Sequence, residues 1–184
     1  GTILSEILKD DKFYYSVSAT TRNPREGEVN GVNYHFITKA DFEERIKNNA
    51  MLEYAEYCGN YYGTPKKEIE EMREKGKNVL LEIEVQGAMK VRDICPDAVF
   101  IFILPPSVAE LERRLRKRGT ETDDVIAERV SQAKGELAFA EKYDYVVVNN
   151  ALEDAISDFR AVIKAEEQKV SNAREIIDEV INNA

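Results

Sequence analysis

NVLLEIEVQG, residues 78–87, is the stretch on which the fold turns. Its alternation sets Leu81, Ile83 and Val85 on one face and Glu82 and Glu84 on the other, at the carboxyl end of a run apolar enough to form a buried strand over 78–85. FYYSVS (13–18), AVFIFIL (98–104) and YVVVN (145–149) are further short runs rich in β-branched and aromatic residues, separated by segments with helical spacing. Strands alternating with helices predict an α/β fold on a parallel sheet. Carboxylates at the end of a buried strand are costly unless a cation or a donor meets them, and open α/β sheets bind ligands outside the carboxyl ends of their strands. Glu82 and Glu84 are therefore site candidates, with a structural ion pair as the alternative.

Residues 33–64 break the alternation. VNYHF, MLEYAEYC and NYYGT are separated by one helix, whose start is marked by Thr38 with Asp41 three residues later. This block is expected to be a small α+β insertion in a core made of 1–32 and 65–184. Beyond 107 come SVAELERRLRK, a helix over about 122–142 and a final long helix after Leu152. Ile3, Leu4, Ile7 and Leu8 have the spacing of an amphipathic helix, yet no cap or strand leads into it, so a piece upstream is expected to be missing.

Composition narrows the function. The 184 residues are 43% hydrophobic and 33% charged, a globular balance. A net charge of -9 excludes duplex DNA and anionic membranes as main partners, since both require a broad basic surface, and any anion site must be local. Cys58 and Cys95 fit reduced thiols better than a disulfide framework, and no apolar run approaches the ~20 residues of a membrane span. A cytoplasmic location is expected.

TTRNPREGEVNGVNY, residues 20–34, offers such an anion site. Pro24 and Gly27 stiffen and turn the loop so that Arg22 and Arg25 can converge, and paired guanidiniums suit phosphate or carboxylate. The competing reading pairs both arginines with Glu26 and Glu28 on a solvated loop. Tyrosines crowd into residues 14–62, and Tyr34 and Tyr62, each beside a glycine-containing turn, are the two read as ligands, their hydroxyls being well-fixed donors. A second basic cluster, RRLRKRGTETDDVIAERV, carries Arg113, Arg114, Arg116, Lys117 and Arg118 before a Gly-Thr turn and Arg129 after it. Pairing with Glu110 and Glu112 accounts for Arg113 and Arg116, whereas Arg118 abuts Gly119 and suits closure over a transferring phosphate. His35, the one histidine, is read as a strand residue.

SVSATTRNPREGEVNGVNYHF, EYAEYCGNYYGTP, LEIEVQG, PPS with the basic helix into RGTE, and VVVNN occur in an order and spacing that resemble guanylate kinase along essentially the whole chain. The resemblance implies a P-loop NTPase-type parallel sheet flanked by helices, with a GMP-binding insertion (33–64) and a helical lid (about 113–130). It implies transfer of the γ-phosphoryl of Mg-ATP to GMP, with Mg2+ as cofactor and no nucleic-acid or membrane partner. On these positions Arg22, Arg25, Tyr34 and Tyr62 would grip the GMP phosphate, and Ser18, Glu53 and Thr64 would hold guanine. Glu82 and Glu84 would lie near GMP and metal, with no metal ligand certain. Arg118, Arg129 and Arg25 would be catalytic, and Gly1, Thr2, Arg114 and Asn149 would meet ATP. Gly1 and Thr2 match the last two residues of the family's Gly-Lys phosphate loop, whose glycines and lysine would lie upstream. A silent guanylate-kinase-like interaction module is the alternative implied by the same resemblance.

Overall fold

The structure, a computed structural model, describes residues 2–119 and 122–183, without the side chain of Arg118. In chain order the elements are α1 (Thr2–Ile7), β1 (Phe13–Tyr15), β2 (Ala19–Thr20), β3 (His35–Phe36), α2 (Lys39–Lys47), β4 (Met51–Tyr57) and β5 (Asn60–Pro65). There follow α3 (Lys66–Glu74), β6 (Asn78–Leu80), α4 (Val85–Ile94), β7 (Ile101–Leu104), α5 (Val108–Arg118) and α6 (Asp123–Leu137). A 3₁₀ turn (Ala140–Lys142), β8 (Tyr145–Val148), α7 (Leu152–Glu167) and α8 (Arg174–Asn182) complete the described chain. Leu8–Ala98 form one unit, and the residues before Leu8 join those from Val99 onward in another.

In the Leu8–Ala98 unit, β1 runs parallel to β6, with Phe13 opposite Asn78 and Tyr15 opposite Leu80. A separate sheet has the order β3-β2-β5-β4. Its β4–β5 hairpin turns through Cys58 and Gly59, both at positive φ (47° and 71°), the backbone that a tight two-residue hairpin demands. Thr38 caps α2 as the sequence predicts, its Oγ1 accepting from the Asp41 amide at 3.1 Å and donating to Asp41 Oδ2 at 2.7 Å. That cap aims Phe42, fully buried, at Ala19 and Met51, and the Phe42 ring stacks on Tyr61 with centroids 5.3 Å apart. His35 lies in β3, as expected of a strand residue.

In the other unit β7 and β8 are parallel, Ile101 opposite Tyr145 through Leu104 opposite Val148. Ser107 caps α5, its Oγ accepting from the Glu110 amide at 3.1 Å, and Gly119 closes the helix at φ 66°. The amphipathic face foreseen near the start is real: Ile3 and Ile7 are buried, and α1 packs on α7.

Several boundaries differ from the sequence reading, and one is that β7 begins at Ile101 rather than at Ala98. β6 stops at Leu80, and Val85 opens α4 instead of ending a strand, because Val85, Ala88 and Val91 bury one helical face while the Ala88 amide bonds to the Glu84 carbonyl at 2.9 Å. FYYSVS is strand only over Phe13–Tyr15, after which the chain crosses into the second sheet at Ala19. The helix expected to reach 142 ends at Leu137, followed by the 3₁₀ turn. The last helix breaks after Glu167, where the Asn172 side chain donates to the Glu166 carbonyl at 2.8 Å, and resumes as α8.

Candidate functional site

A cleft of about 310 Å³, counting its solvent side, opens in the Leu8–Ala98 unit. Ser18, Tyr34, Glu53, Tyr62, Glu82 and Glu84 line it, with Ala55, Gly63 and Ile83 filling the wall between them. Six of the residues singled out from the sequence thus meet on one surface, although 66 positions separate the first from the last.

Glu53 forms one end. It projects from β4 directly across from Thr64 on β5, and the Thr64 hydroxyl donates to Glu53 Oε1 at 2.6 Å. Glu53 is only 5% exposed and Thr64 is fully buried. Burial raises the Glu53 pKa above the ordinary carboxylate value, opposed by the Thr64 hydrogen bond and the charge of Lys90. Lys90 docks α4 against the same strand, its Nζ donating to the Tyr54 carbonyl and lying 4.5 Å from the Tyr54 ring centre. The result is a carboxylate whose Oε1 is anchored by a hydroxyl, in a wall that offers little water.

Arg22 lies toward Tyr34. Its Nη1 and Nη2 donate to the two Glu28 oxygens at 3.0 and 2.9 Å, and its guanidinium carbon sits 5.4 Å from the Tyr34 ring centre and 5.6 Å from that of Phe36. The Arg25 amide donates to Glu28 Oε2 at 2.6 Å, closing the loop that Pro24 and Gly27 begin. Hydrogen bonds from Arg22 hold Glu28 below the usual carboxylate range. The pairing foreseen as the competing reading is therefore present for Arg22 with Glu28. Tyr34 and Tyr62 meet edge to face at 6.0 Å, and burial pushes the Tyr34 hydroxyl pKa up, so the phenol remains a donor.

Glu82 and Glu84 both reach the cleft, but from the link between β6 and α4 rather than from one face of a strand, with Glu84 in the N-cap position of α4. Tyr15 was not foreseen as a site residue. Its hydroxyl donates to Glu82 at 3.4 Å, and burial raises its pKa. The signal was the parallel pairing that puts Tyr15 beside Leu80, two residues before Glu82, and a sequence does not announce which strands pair.

The remaining candidates belong to the other unit. Arg114 donates through Nη1 to the Asn149 carbonyl at 2.8 Å and through Nη2 to that of Asn150 at 3.3 Å, so the structure brings Arg114 and Asn149 together. Arg113 pairs with Glu110 at 2.7 Å and Arg116 with Glu112 at 2.8 Å, as the helix spacing implies. Hydrogen bonds from Arg113 and Arg114 draw the Glu110 pKa down to about 2. Arg129 is half-buried on α6, and Thr2 opens α1, exposed. Gly1 and the side chain of Arg118 lie outside the described residues.

With this geometry in hand, comparison with known proteins is direct. The family profile described as guanylate kinase matches residues 2–166. A guanylate kinase of Clostridium perfringens is 52% identical over 95% of this chain and 82% of its own length. A guanylate kinase of Bacillus subtilis is 51% identical over 92% and 84%. The crystal structure of guanylate kinase from Anaplasma phagocytophilum, 35% identical, matches with a TM-score of 0.82 over 97% of this chain and 88% of that one. A profile match across most of the chain, shared identity near one half with bacterial relatives and a common three-dimensional fold lead to one conclusion: the chain belongs to the guanylate kinase family.

Proposed function

We propose that the protein transfers the γ-phosphoryl group of ATP to GMP, giving GDP and ADP, and that GMP occupies the cleft of the Leu8–Ala98 unit. The observation that carries this reading is the buried Glu53 carboxylate with Oε1 fixed by Thr64, in a cleft that also holds Ser18 and the Tyr34–Tyr62 pair. A carboxylate can accept from both N1–H and the exocyclic amine of guanine, a pair of donors adenine does not present. Arg22, Arg25, Tyr34 and Tyr62 supply donors for the phosphate at the other end. The silent interaction module is set aside, because relatives about half identical over most of the chain are themselves named guanylate kinases.

Phosphoryl transfer of this kind requires positioning and charge neutralisation, with no covalent intermediate. We assign Arg118 and Arg129, with Arg25, to the charge that develops on the migrating group, and Arg114 with Asn149 to ATP. Mg2+ is the expected companion of ATP. Among the described residues no group of three or more His, Cys, Asp or Glu is placed to hold a metal ion. Mg2+ commonly takes only one or two carboxylates plus substrate phosphates, and the oxygens of Glu82 and Glu84 fit that demand, so these two would hold it. The metal would offset phosphate charge.

No helix among the described residues is long and apolar enough to cross a membrane, and a cytoplasmic location is in keeping with the reading.

Titrating GMP and AMP separately into the protein by calorimetry tests the site. GMP should bind at least about tenfold more tightly, as one bidentate base contact implies. Equal affinities would remove Glu53 as guanine reader. GMP-dependent release of ADP from Mg-ATP tests the reaction.

A further inference from the structure

Gly87, in the first turn of α4, is buried among the residues behind the cleft. A methyl group on its Cα would stand 2.3 Å from Glu53 Oε2 and 2.9 Å from the carboxyl carbon. The obstruction is the far end of the side chain that faces the base, and no other group stands within that distance. Gly63 also lacks room, but its neighbours there are the Met51 terminus, the Glu53 carbonyl and the Tyr54 Cβ, so it packs a hairpin.

Gly87 is not required for its backbone. It lies inside a helix, carries none of the positive φ angles found at Gly27, Gly31, Gly59, Gly76 and Gly119, and is a poorer helix former than alanine. Gly135, the other glycine in a described helix, has nothing within 4 Å of such a methyl. The Glu53 carboxylate is thus confined on two sides. Thr64 holds Oε1 by a hydrogen bond, and the bare Cα of Gly87 leaves the space that Oε2 fills.

We propose that Gly87 is a specificity-determining positioning residue, whose missing side chain sets where the Glu53 carboxylate stands and hence how strongly the cleft prefers guanine. This rests on Glu53 being the guanine acceptor. Any side chain at position 87 would push Oε2 out of the plane in which it meets the base, or rotate Glu53 off Thr64. Either movement weakens GMP and leaves a ligand lacking the paired donors almost unaffected.

The test is a cycle of four proteins, wild type, Gly87→Ala, Glu53→Asp and the double variant, with Gly135→Ala as control. GMP and AMP are titrated into each by calorimetry, and thermal unfolding is followed in parallel. Gly87→Ala should weaken GMP about tenfold or more, change AMP less than about twofold and leave the unfolding temperature near that of Gly135→Ala. Glu53→Asp withdraws the carboxylate by one methylene. It should cost GMP affinity in the wild-type background and much less in the Gly87→Ala background, because the shorter group no longer meets the added methyl. Should Gly87→Ala fail to fold, a folded double variant supports the clash, and a double variant that also fails makes Gly87 a packing residue and overturns the proposal. A GMP-to-AMP ratio unchanged in Gly87→Ala but lowered in Glu53→Asp overturns the role of Gly87 alone. A ratio unchanged in both removes Glu53 as the reader, and this proposal falls with it.

Discussion

Glu53→Gln separates recognition from stability. The Thr64 hydroxyl donates to Oε1 at 2.6 Å, so a glutamine at 53 must keep its carbonyl oxygen there, and its amide nitrogen then occupies the Oε2 position. One of the two acceptors proposed to face guanine becomes a donor facing a donor. Losing one charge-assisted hydrogen bond costs about 1.5 to 3 kcal/mol, or about 10- to 150-fold in GMP affinity. Adenine has no matching pair of donors to lose, so the GMP-to-AMP ratio should fall by nearly the same factor. Stability should move the other way or not at all. Glu53 has its pKa raised by burial, so the folded state binds a proton more tightly than the unfolded chain does. That contribution is fully present below the unfolded carboxylate pKa and is lost as pH rises through the raised folded value. At neutral pH the charged form is a burden that glutamine removes. Calorimetric titration of GMP and AMP at pH 7, with thermal unfolding of the same samples, checks both halves. An unchanged GMP-to-AMP ratio, or weaker GMP binding accounted for by a lower unfolding temperature, refutes the reasoning.

Arg25→Met keeps bulk and removes a guanidinium, and should weaken GMP by about 1.5 to 3 kcal/mol; calorimetry showing unchanged affinity assigns Arg25 to the surface. Glu28→Gln should flatten the acid limb of the stability curve: Glu28 has a depressed pKa, so its contribution is present above the unfolded carboxylate value and lost as pH falls through the folded one. Denaturant midpoints measured from pH 7 down to 3 check this, and parallel curves for variant and wild type contradict it. Phe42→Ala empties the centre of the Ala19–Met51 core and should cost about 3 to 5 kcal/mol by chemical denaturation; a cost below about 1 kcal/mol would mean that Phe42 is not the anchor of that core.

Family and fold class were legible because the sequence places several chemically distinctive motifs in order, and their spacing survives into the structure. Thr38 was readable as a cap for a local reason: it bonds an amide three residues on, a relation contained within one turn. The end of β6 was not readable. Leu81 to Val85 alternate like a strand, yet Val85, Ala88 and Val91 also recur like a helix, and burial of the helical face decides between two patterns that overlap at Val85. The Glu53–Thr64 bond lies between those cases. Both residues were singled out by resemblance, but their contact depends on the hairpin turn at Cys58 and Gly59 setting the register. Gly87 and Tyr15 escaped because their roles belong to packing across elements, which one-dimensional spacing does not encode.

Arg22 shows why two opposed sequence readings can both hold. The residue was either an anion ligand or half of an ordinary ion pair with a neighbouring glutamate. In the structure its side chain is only 14% exposed, a state that a lone guanidinium would reach at a high desolvation cost. Glu28 offsets that cost with two hydrogen bonds, and the faces of Tyr34 and Phe36 add attraction to the same cation. The pair therefore fixes the guanidinium beside Tyr34, one of the residues lining the cleft, before any ligand arrives, so the ordering entropy of a long side chain is met during folding and not on binding. Glu28 takes one N–H on each of Nη1 and Nη2 and the Asn23 carbonyl takes the other on Nη1 at 2.6 Å, so of five guanidinium N–H groups the one on Nε and the second on Nη2 are left for Tyr62 and a phosphate oxygen. An ion pair next to a proposed phosphate site is thus a means of holding the ligand's partner in place, and its presence does not count against the site.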